Sequence, residues 1–261
     1  MTWIEALILG IVQGLTEFLP VSSSGHLELG KVLLNTEVKE DLTFTVLVHF
    51  ATVLSTITVF FGEVRDLTRG VFAFRWNEPT RYLMKILLSM IPVMIVGMFF
   101  REEVESLFSG NLLLVGIALL VTALLLLSTQ LVRSGLKKIP YADAFIMGIA
   151  QAIAVIPGIS RSGATISTGL LLKNERGEVA KFSFLMVLLP IIGAAGMDLL
   201  TMDASAGSTS VPVISLITGF VAAYLSGFLA CRWMISLVKK GNLHWFALYC
   251  GIIGILAIIF A

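Results

Sequence analysis

The sequence predicts an all-α integral membrane protein built as an inverted-topology repeat. Three observations support this fold class: long stretches without charge, two similar hydrophobic segments broken by Pro, Gly and Ser, and basic residues concentrated in alternate loops. Hydrophobic residues make up 57% of the 261 residues and charged residues only 13%, which excludes an ordinary soluble domain. The net charge of +1, with no basic stripe, gives no indication of a nucleic-acid partner.

Six segments are predicted to cross the bilayer. A spanning helix needs about 20 apolar residues, and the runs 42–62, 106–132, 204–231 and 241–261 contain no Asp, Glu, Lys or Arg. Two shorter runs qualify if the flanking Lys85 and Lys181 extend toward the interface. The predicted spans are 43–61, 82–100 and 112–132 in the first half, and 182–200, 212–236 and 245–261 in the second.

Each half opens with apolar runs that are too short to span. These runs are 6–16 and 18–27 around Glu17 and Pro20, and 144–160 and 162–172 around Arg161 and Pro157. Interruption by Pro, Gly and Ser predicts re-entrant helix-loop-helix elements. With a shift of 138 residues, GIVQGLTEFLPVSSSGH at 10–26 aligns with GIAQAIAVIPGISRSGA at 148–164, and the identities include the unusual Gln and Ser positions. This alignment favours an internal repeat.

The repeat and the charges predict the same topology. Three spans after each broken element turn the second half upside down relative to the first, as in many transporters. Basic residues gather in 63–85, 133–138, 173–181 and 239–240, and placing these segments in the cytoplasm satisfies the positive-inside rule. We therefore expect one membrane domain, 1–261, with repeat one at about 1–132 and repeat two at about 139–261.

The first broken element carries a candidate acid and several nucleophiles. Gln13 and Glu17 are four residues apart and share a helix face. A carboxylate inside a membrane costs roughly 2.5–3.5 kcal/mol and needs a partner, unless Glu17 simply ends a helix at the interface. His26 follows Ser22, Ser23 and Ser24, which indicates a nucleophile or general base, although such serines also cap helices. Ser23, Ser24, His26 and water all remain candidates for the attacking group.

The second broken element, PGISRSGAT at 157–165, predicts an anion site. Gly158 and Gly163 allow close approach of the backbone, and a helix starting near Gly163 would point its N–H groups at the loop. Arg161 adds a charged fork suited to phosphate. The hydroxyl groups come from Ser160, Ser162 and Thr165. If the halves bring the loops together, Arg161 would face Glu17 and His26, an arrangement suited to phosphoryl transfer.

QGLTEFLPVSSSGH at 13–26 (motif 1) and PGISRSGAT at 157–165 (motif 2) resemble the two signature motifs of the undecaprenyl-diphosphate phosphatase family of bacitracin-resistance type. The similarity extends along the chain and includes FSFLMVLLP at 182–190. It implies hydrolysis of undecaprenyl diphosphate to undecaprenyl phosphate, which recycles the carrier lipid for cell-wall synthesis. It also implies a divalent cation (Mg²⁺ or Ca²⁺), a bacterial inner-membrane location, an active site facing the periplasm, and a possible homodimer.

The resemblance also assigns candidate roles to individual residues. The family's first motif begins with Glu or Gln and has Glu four residues later, so Glu17 would hold the metal with Gln13 as a neutral ligand. The implied catalytic residues are Glu17, Ser23, His26 and Arg161. The candidate substrate-binding residues are Ser24, Ser160, Ser162, Gly163 and Thr165.

The inverted repeat also supports a rival function, a transporter or flippase of a prenyl phosphate lipid that uses the same anion site without a nucleophile and base. A purely structural membrane protein is disfavoured because it would not bury Glu17 and Arg161. His49 is expected either to support the site or, preferably, to form a hydrogen bond between helices. Asp198 is expected at the interface, and Glu28 is expected to face away from His26.

Overall fold

The computed structural model describes residues 1–26, 29, 42–73, 75–107, 111–132, 135–201 and 211–261. None of these segments forms a β-strand beyond a single bridge between Lys137 and Asn174, so the all-α prediction is confirmed. The α-helices with defined bounds are α1 (Trp3–Phe18), α2 (Leu42–Val59), α3 (Phe61–Phe72), α4 (Glu78–Phe99), α5 (Arg101–Ser106), α6 (Leu112–Ser128), α7 (Tyr141–Ile153), α8 (Arg161–Leu171), α9 (Arg176–Met186), α10 (Leu188–Thr201), α11 (Val213–Lys240) and α12 (His244–Ile259). Residues 23–26 are also helical.

Several of the predicted spans are continuous apolar helices. Within the described residues, α4, α11 and the stretch Leu112–Leu131, which extends α6 by a 3₁₀ turn, are long and apolar enough to cross a membrane. Helix α12 covers the last predicted span but is shorter, with 16 residues. The predicted span 43–61 forms α2, which is followed at Phe60 by an 83° bend into α3. The segment predicted only as a basic loop, 63–85, therefore contains helix.

The predicted fourth span, 182–200, is wrong as a single helix. The chain forms α9 up to Met186 and then α10 from Leu188. Pro190 accounts for the break, because it has no N–H to bond the carbonyl of Met186 and its ring crowds that carbonyl. The break also places Pro190 beside the central cavity described below.

The two broken elements have the predicted short helices, but their breaks lie at other residues. Helix α1 continues through Glu17 to Phe18, and Leu19 is extended (φ −72°, ψ 141°), as expected for the residue before Pro20. In the second element α7 ends at Ile153 and α8 begins with Arg161. Both charged residues therefore belong to helices, one at a C-terminal end and one at an N-terminal start.

The opening helix of each half lies against a helix of the other half. Helix α1 packs on α11, and α7 packs on α4. The contacts are backbone to backbone: a Cβ on Gly10 would lie 2.4 Å from the carbonyl oxygen of Gly219, and a Cβ on Gly148 would lie 2.3 Å from that of Ser89. Gly10 and Gly148 are aligned in the sequence repeat, so equivalent glycines make equivalent contacts.

A buried polar network fixes the two helices that flank motif 2. Asp143, in the first turn of α7, accepts hydrogen bonds from Lys137 Nζ at 2.8 Å and from Asn174 Nδ2 at 2.7 Å. Asn174 follows the end of α8, and its Nδ2 also donates to the carbonyl oxygen of Gly169 at 3.1 Å. These bonds hold the start of α7 to the end of α8 and so define where motif 2 lies between them.

Candidate functional site

Motif 1 and motif 2 meet through their glycines. A Cβ on Gly25 would lie 2.9 Å from Gly158 Cα, closer than real side chains approach. Gly158 has φ +97°, and a Cβ there would lie 2.6 Å from the carbonyl oxygen of Val115. Gly158 is therefore required both for its backbone conformation and for close approach. The expectation that the two loops come together is confirmed.

Both motifs use a serine to begin a helix in the same way. Ser160 Oγ accepts a hydrogen bond from the Gly163 N–H at 3.1 Å, and Ser22 Oγ accepts one from the Gly25 N–H at 3.2 Å. The capping interpretation therefore holds for one serine in each motif. Helix α8 begins at Arg161, inside motif 2 and two residues before Gly163. The N–H of Gly163 is therefore in the first turn of the helix, where it is bonded to the capping serine.

The second serine of each motif lies beside the capping serine. Ser24 Oγ is 3.4 Å from Ser22 Oγ, and Ser162 Oγ is 3.3 Å from Ser160 Oγ. Ser22 has φ +65°, a conformation that non-glycine residues seldom adopt. The hydrogen bonds of the turn hold this uncommon backbone, which directs the following residues to the cavity described below.

Arg161 and Glu17 form an ion pair between the two halves of the chain. The Glu17 side chain is only 5% exposed, whereas that of Arg161 is 31% exposed. The other carboxylate oxygen of Glu17 accepts a hydrogen bond from Gln13 Nε2 at 3.1 Å. The Glu17 carboxylate is therefore paired with the arginine of motif 2, which the sequence placed opposite Glu17 without predicting this ion pair.

A cavity of about 210 Å³ lies beside this ion pair. Its polar lining comes from both motifs and from two further helices: Thr16, Glu17, Ser22, Ser23, Ser24, His49, Gln151, Ser160, Arg161 and Ser162. Ligand pockets for drug-sized molecules are roughly 300–1,000 Å³, so this cavity suits a headgroup rather than a whole lipid. Arg161, the serine hydroxyls and the N-terminal end of α8 together favour an anion there.

Ser23 is the serine of motif 1 whose hydroxyl has no hydrogen-bond partner among the described residues, and it lines the cavity. Thr165 is directed elsewhere: its hydroxyl donates to the carbonyl oxygen of Arg161 at 2.9 Å and lies 2.6 Å from Ser183 Oγ. Thr165 contributes to a smaller cavity on the other side of Glu17 and Arg161. Of the predicted substrate-binding residues, Ser24, Ser160 and Ser162 reach the main cavity, whereas Gly163 and Thr165 do not line it.

His26 does not line the cavity. Its Nδ1 lies 2.8 Å from the carbonyl oxygen of Ser22, so Nδ1 is the donor, and its Nε2 accepts from the hydroxyl of Tyr249 at 2.8 Å. The two rings are nearly parallel, with an interplanar angle of 7° and centroids 5.6 Å apart. Tyr249 is on α12, 223 residues away, and no local sequence signal indicates this contact.

His49 and Gln151 line the cavity, a position that the sequence offered for His49 only as the less favoured alternative and did not offer for Gln151. His49 Nδ1 bonds the carbonyl oxygen of Thr45 at 2.8 Å in its own helix, and among the described residues the His49 ring has no hydrogen bond to another helix. Gln151 appeared only as an identity in the internal repeat. Glu28 lies outside the described residues, as does the side chain of Asp198.

The oxygen atoms near Glu17 are compatible with a divalent cation that is held mainly by the phosphate oxygens of a bound substrate and by water. The described residues contain no group of three or more His, Cys, Asp or Glu side chains that could hold a metal. Mg²⁺ commonly binds through one or two carboxylates plus phosphate oxygens and water. Glu17 with the adjacent serine hydroxyls fits that mode, whereas Gln13 is buried behind Glu17 and does not line the cavity.

Comparison with known proteins places this chain among close relatives. The family described as "Bacitracin resistance protein BacA" matches residues 6–256. The chain is 54% identical over 259 residues to the undecaprenyl-diphosphatase of Christiangramia forsetii, covering 98% of this chain and 97% of that protein. It is 53% identical over 263 residues to the undecaprenyl-diphosphatase of Bacteroides fragilis, covering 99% and 98%. A more distant relative in Halothermothrix orenii, also an undecaprenyl-diphosphatase, is 41% identical over 260 residues, covering 98% and 97%.

Proposed function

The chain belongs to the bacitracin resistance protein BacA family, and from that premise we propose that it is an undecaprenyl-diphosphatase. It is a multi-pass membrane protein that hydrolyses undecaprenyl diphosphate to undecaprenyl phosphate and inorganic phosphate. The observation that carries this proposal at the level of the site is the Arg161–Glu17 pair beside a hydroxyl-lined cavity of headgroup size. The apolar chain of the substrate would remain in the bilayer, where the exposed apolar helices of the protein also lie.

Arg161 and the start of α8 are proposed to bind the diphosphate. Phosphate oxygens can replace the Glu17 carboxylate on the guanidinium, because both are anionic acceptors for the same planar fork. Ser24, Ser160 and Ser162 supply hydroxyls around that position, and Gly163 and Thr165 support the backbone of α8 behind it. Binding of this kind would release Glu17 from the ion pair.

Hydrolysis adds water across the bond between the terminal phosphorus and the bridging oxygen. A new P–O bond forms at the terminal phosphorus, and the bridging oxygen leaves with undecaprenyl phosphate. Ser23, which lines the cavity, is the best-placed hydroxyl either to orient the attacking water or to attack first itself, in which case water then cleaves the phosphoserine to release inorganic phosphate and restore the serine. His26 is proposed as the base, with Nδ1 fixed by Ser22 so that Nε2 carries the lone pair. To act on the attacking group, that nitrogen must exchange its hydrogen bond from Tyr249.

We propose that Glu17 holds Mg²⁺ or Ca²⁺, while Gln13, whose Nε2 donates to the Glu17 carboxylate from behind, orients that ligand. When bound, the cation would offset negative charge on the transferring phosphoryl group. Because Glu17 and Arg161 are in contact, a phosphoryl group that displaced Glu17 from the guanidinium would have Arg161 on one side and the cation held by Glu17 on the other.

An inverted repeat in the inner membrane, with the site open to the periplasm, completes the proposal. Two observations support the repeat: equivalent glycines contact the opposite half, and equivalent serines cap equivalent turns. The orientation follows from the basic segments. It is testable by labelling single cysteines introduced in 63–85 and in motif 1 from the outside of intact cells. Cross-linking in membranes tests the homodimer.

The deciding experiment measures phosphate release from a long prenyl diphosphate by the purified protein. We expect release by the wild type, its loss in excess chelator, and its recovery on adding Mg²⁺ or Ca²⁺. Activity that persists undiminished in excess chelator would remove the cation from the proposal but leave the phosphatase intact. Absence of phosphate release under all metal conditions, with transfer of prenyl phosphate across vesicles, would overturn the phosphatase in favour of transport.

A further inference from the structure

Gln151 is a buried polar side chain with no hydrogen-bond partner in the described part of the chain. It is 1% exposed, and both its amide nitrogen and its amide oxygen lack a partner. Buried polar side-chain atoms are almost always hydrogen-bonded. Because Gln151 lines the cavity that contains Arg161 and Glu17, a ligand in the cavity can supply the missing bonds.

The internal repeat explains why this amide is unpaired. Gln151 aligns with Gln13, whose Nε2 donates to Glu17 four residues later on the same helix. The residue four positions after Gln151 is Val155, which also lines the cavity and cannot accept a hydrogen bond. The second half therefore keeps the amide and replaces its partner by an apolar side chain. The side-chain amide of Gln151 therefore has no local hydrogen-bond partner and can bond a ligand in the cavity.

The position of Gln151 is fixed by close packing. One turn earlier on α7, Gly148 lies against the backbone of Ser89 in α4, with room for no side chain. One turn after Ser89, Val93 lines the same cavity. The amide is thus presented by a helix held against its neighbour, and it needs little reordering to bind a ligand.

We propose that Gln151 binds the second phosphoryl group of the diphosphate. Its Nε2 donates to a non-bridging oxygen, while Arg161 and the N-terminal end of α8, which lie on a different helix, hold the other phosphoryl group. Gln151 is then a specificity-determining residue that distinguishes the diphosphate substrate from the monophosphate product. This inference rests on the proposed phosphatase function.

The informative substitution is Gln151→Leu, which keeps the approximate volume and removes both polar atoms. Because the amide has no partner within the described chain, the apolar variant should melt at the wild-type temperature or above it. A hydrogen bond to a charged group predicts that affinity for a non-hydrolysable prenyl methylenebisphosphonate falls roughly 10- to 100-fold. Affinity for the matching prenyl monophosphonate should change less than about threefold.

Calorimetric titration of the purified protein in nanodiscs measures both affinities, and Gln130→Leu is the matched control. Gln130 is exposed, and its Nε2 bonds the carbonyl oxygen of Gly241 far from the cavity, so this variant should bind both ligands as the wild type does. Equal losses for the two ligands, no loss for either, or a lower melting temperature with unchanged ligand preference would each overturn the proposal.

A second variant covers failure of the first to fold. Gln151→Glu has nearly the same shape and places a carboxylate against the phosphoryl group, so its preference for the bisphosphonate should fall at least as far. An unchanged preference in that variant would also overturn the role of Gln151. Phosphate release by the wild type is measured separately. Its absence would refute the phosphatase, whereas the two-ligand comparison reports on Gln151 alone.

Discussion

Substitution of Glu17 should separate substrate binding from turnover. In Glu17→Gln, Arg161 loses the carboxylate that occupies its guanidinium, so a phosphoryl group no longer competes for that site. Breaking a fully buried pair costs about 3–5 kcal/mol. Since the Arg161 side chain is 31% exposed, we take about 1–2 kcal/mol for the competing interaction. That range corresponds to roughly 5- to 30-fold tighter binding of a non-hydrolysable prenyl bisphosphonate.

The same variant should lose turnover. A neutral amide holds the proposed cation poorly, so the positive charge that would offset the transferring group is lost, and removing such a contribution lowers kcat by about 100-fold or more. Affinity is measured by calorimetry in excess chelator, which excludes any contribution of metal to ligand binding, and turnover by phosphate release with Mg²⁺. Arg161→Ala should show the opposite binding effect, a clear loss of affinity.

A matched control is available in Glu178→Gln. Glu178 and Lys181 form an ion pair at 2.6 Å with side chains 25% and 26% exposed, outside the central cavity. Its loss should leave bisphosphonate affinity and kcat near wild-type values. If Glu17→Gln binds the bisphosphonate no more tightly than the wild type, the idea that Glu17 competes with phosphate for Arg161 is refuted, whatever happens to kcat.

Two further predictions concern the contacts around motif 1. Gly25→Ala should lower the free energy of unfolding by about 1–3 kcal/mol and reduce phosphate release, because its Cβ would lie 2.9 Å from Gly158 Cα. Thermal melting measures the change in stability, and Gly97→Ala is the control because a Cβ there meets nothing within 4 Å. Equal stability of the two variants would contradict the prediction. Tyr249→Phe should raise kcat by up to about 2- to 12-fold with little change in KM, because His26 Nε2 no longer has to give up a neutral hydrogen bond before it acts as base. The Tyr249 effect should disappear in a His26→Ala background, and an effect of the same size there, or a lower kcat in Tyr249→Phe, would contradict this reasoning.

The sequence predicted the fold where a local property decides the structure. Charge-free runs sufficed for α6 and α11, because apolar length is a property of the segment itself, whereas α4 was predicted only by letting Lys85 extend toward the interface. The bend at Phe60 and the division of 182–200 were missed, because hydropathy is continuous across both. Only the proline at 190 carried a signal of the second break, and its effect falls four residues earlier.

The site was predictable to the extent that charge demands a partner. Glu17 and Arg161 both needed compensation inside an apolar chain, and the repeat predicted that they face each other, although not that they form a direct ion pair. The direction of His26 did not follow, because it depends on Tyr249 in a helix 223 residues away. Gln151 was missed for a related reason: its identity with Gln13 was visible, but its lack of a partner became evident only in three dimensions.

The two motifs share a scaffold and differ at the positions that carry charge. Ser22 and Ser160 cap their turns alike, and Gly25 and Gly163 donate to them alike. At the position directly after the capping serine, however, motif 1 has Ser23 where motif 2 has Arg161. Two copies of motif 1 would set acid against acid across the cavity, and two copies of motif 2 would set arginine against arginine. The divergence instead sets an arginine against an acid and a hydroxyl.

The two halves of the chain also differ just before the capping serines. Glu17 aligns with Val155, so the first half provides the carboxylate and the second half provides an apolar wall and an unpaired amide at Gln151. Hydrolysis of a diphosphate needs positive charge and donors on one side, and a nucleophile with an acid that can hold a cation on the other. Neither motif contains that set alone. The contact between Gly25 and Gly158 joins the complementary halves, which is why the pair forms one site rather than two equivalent ones.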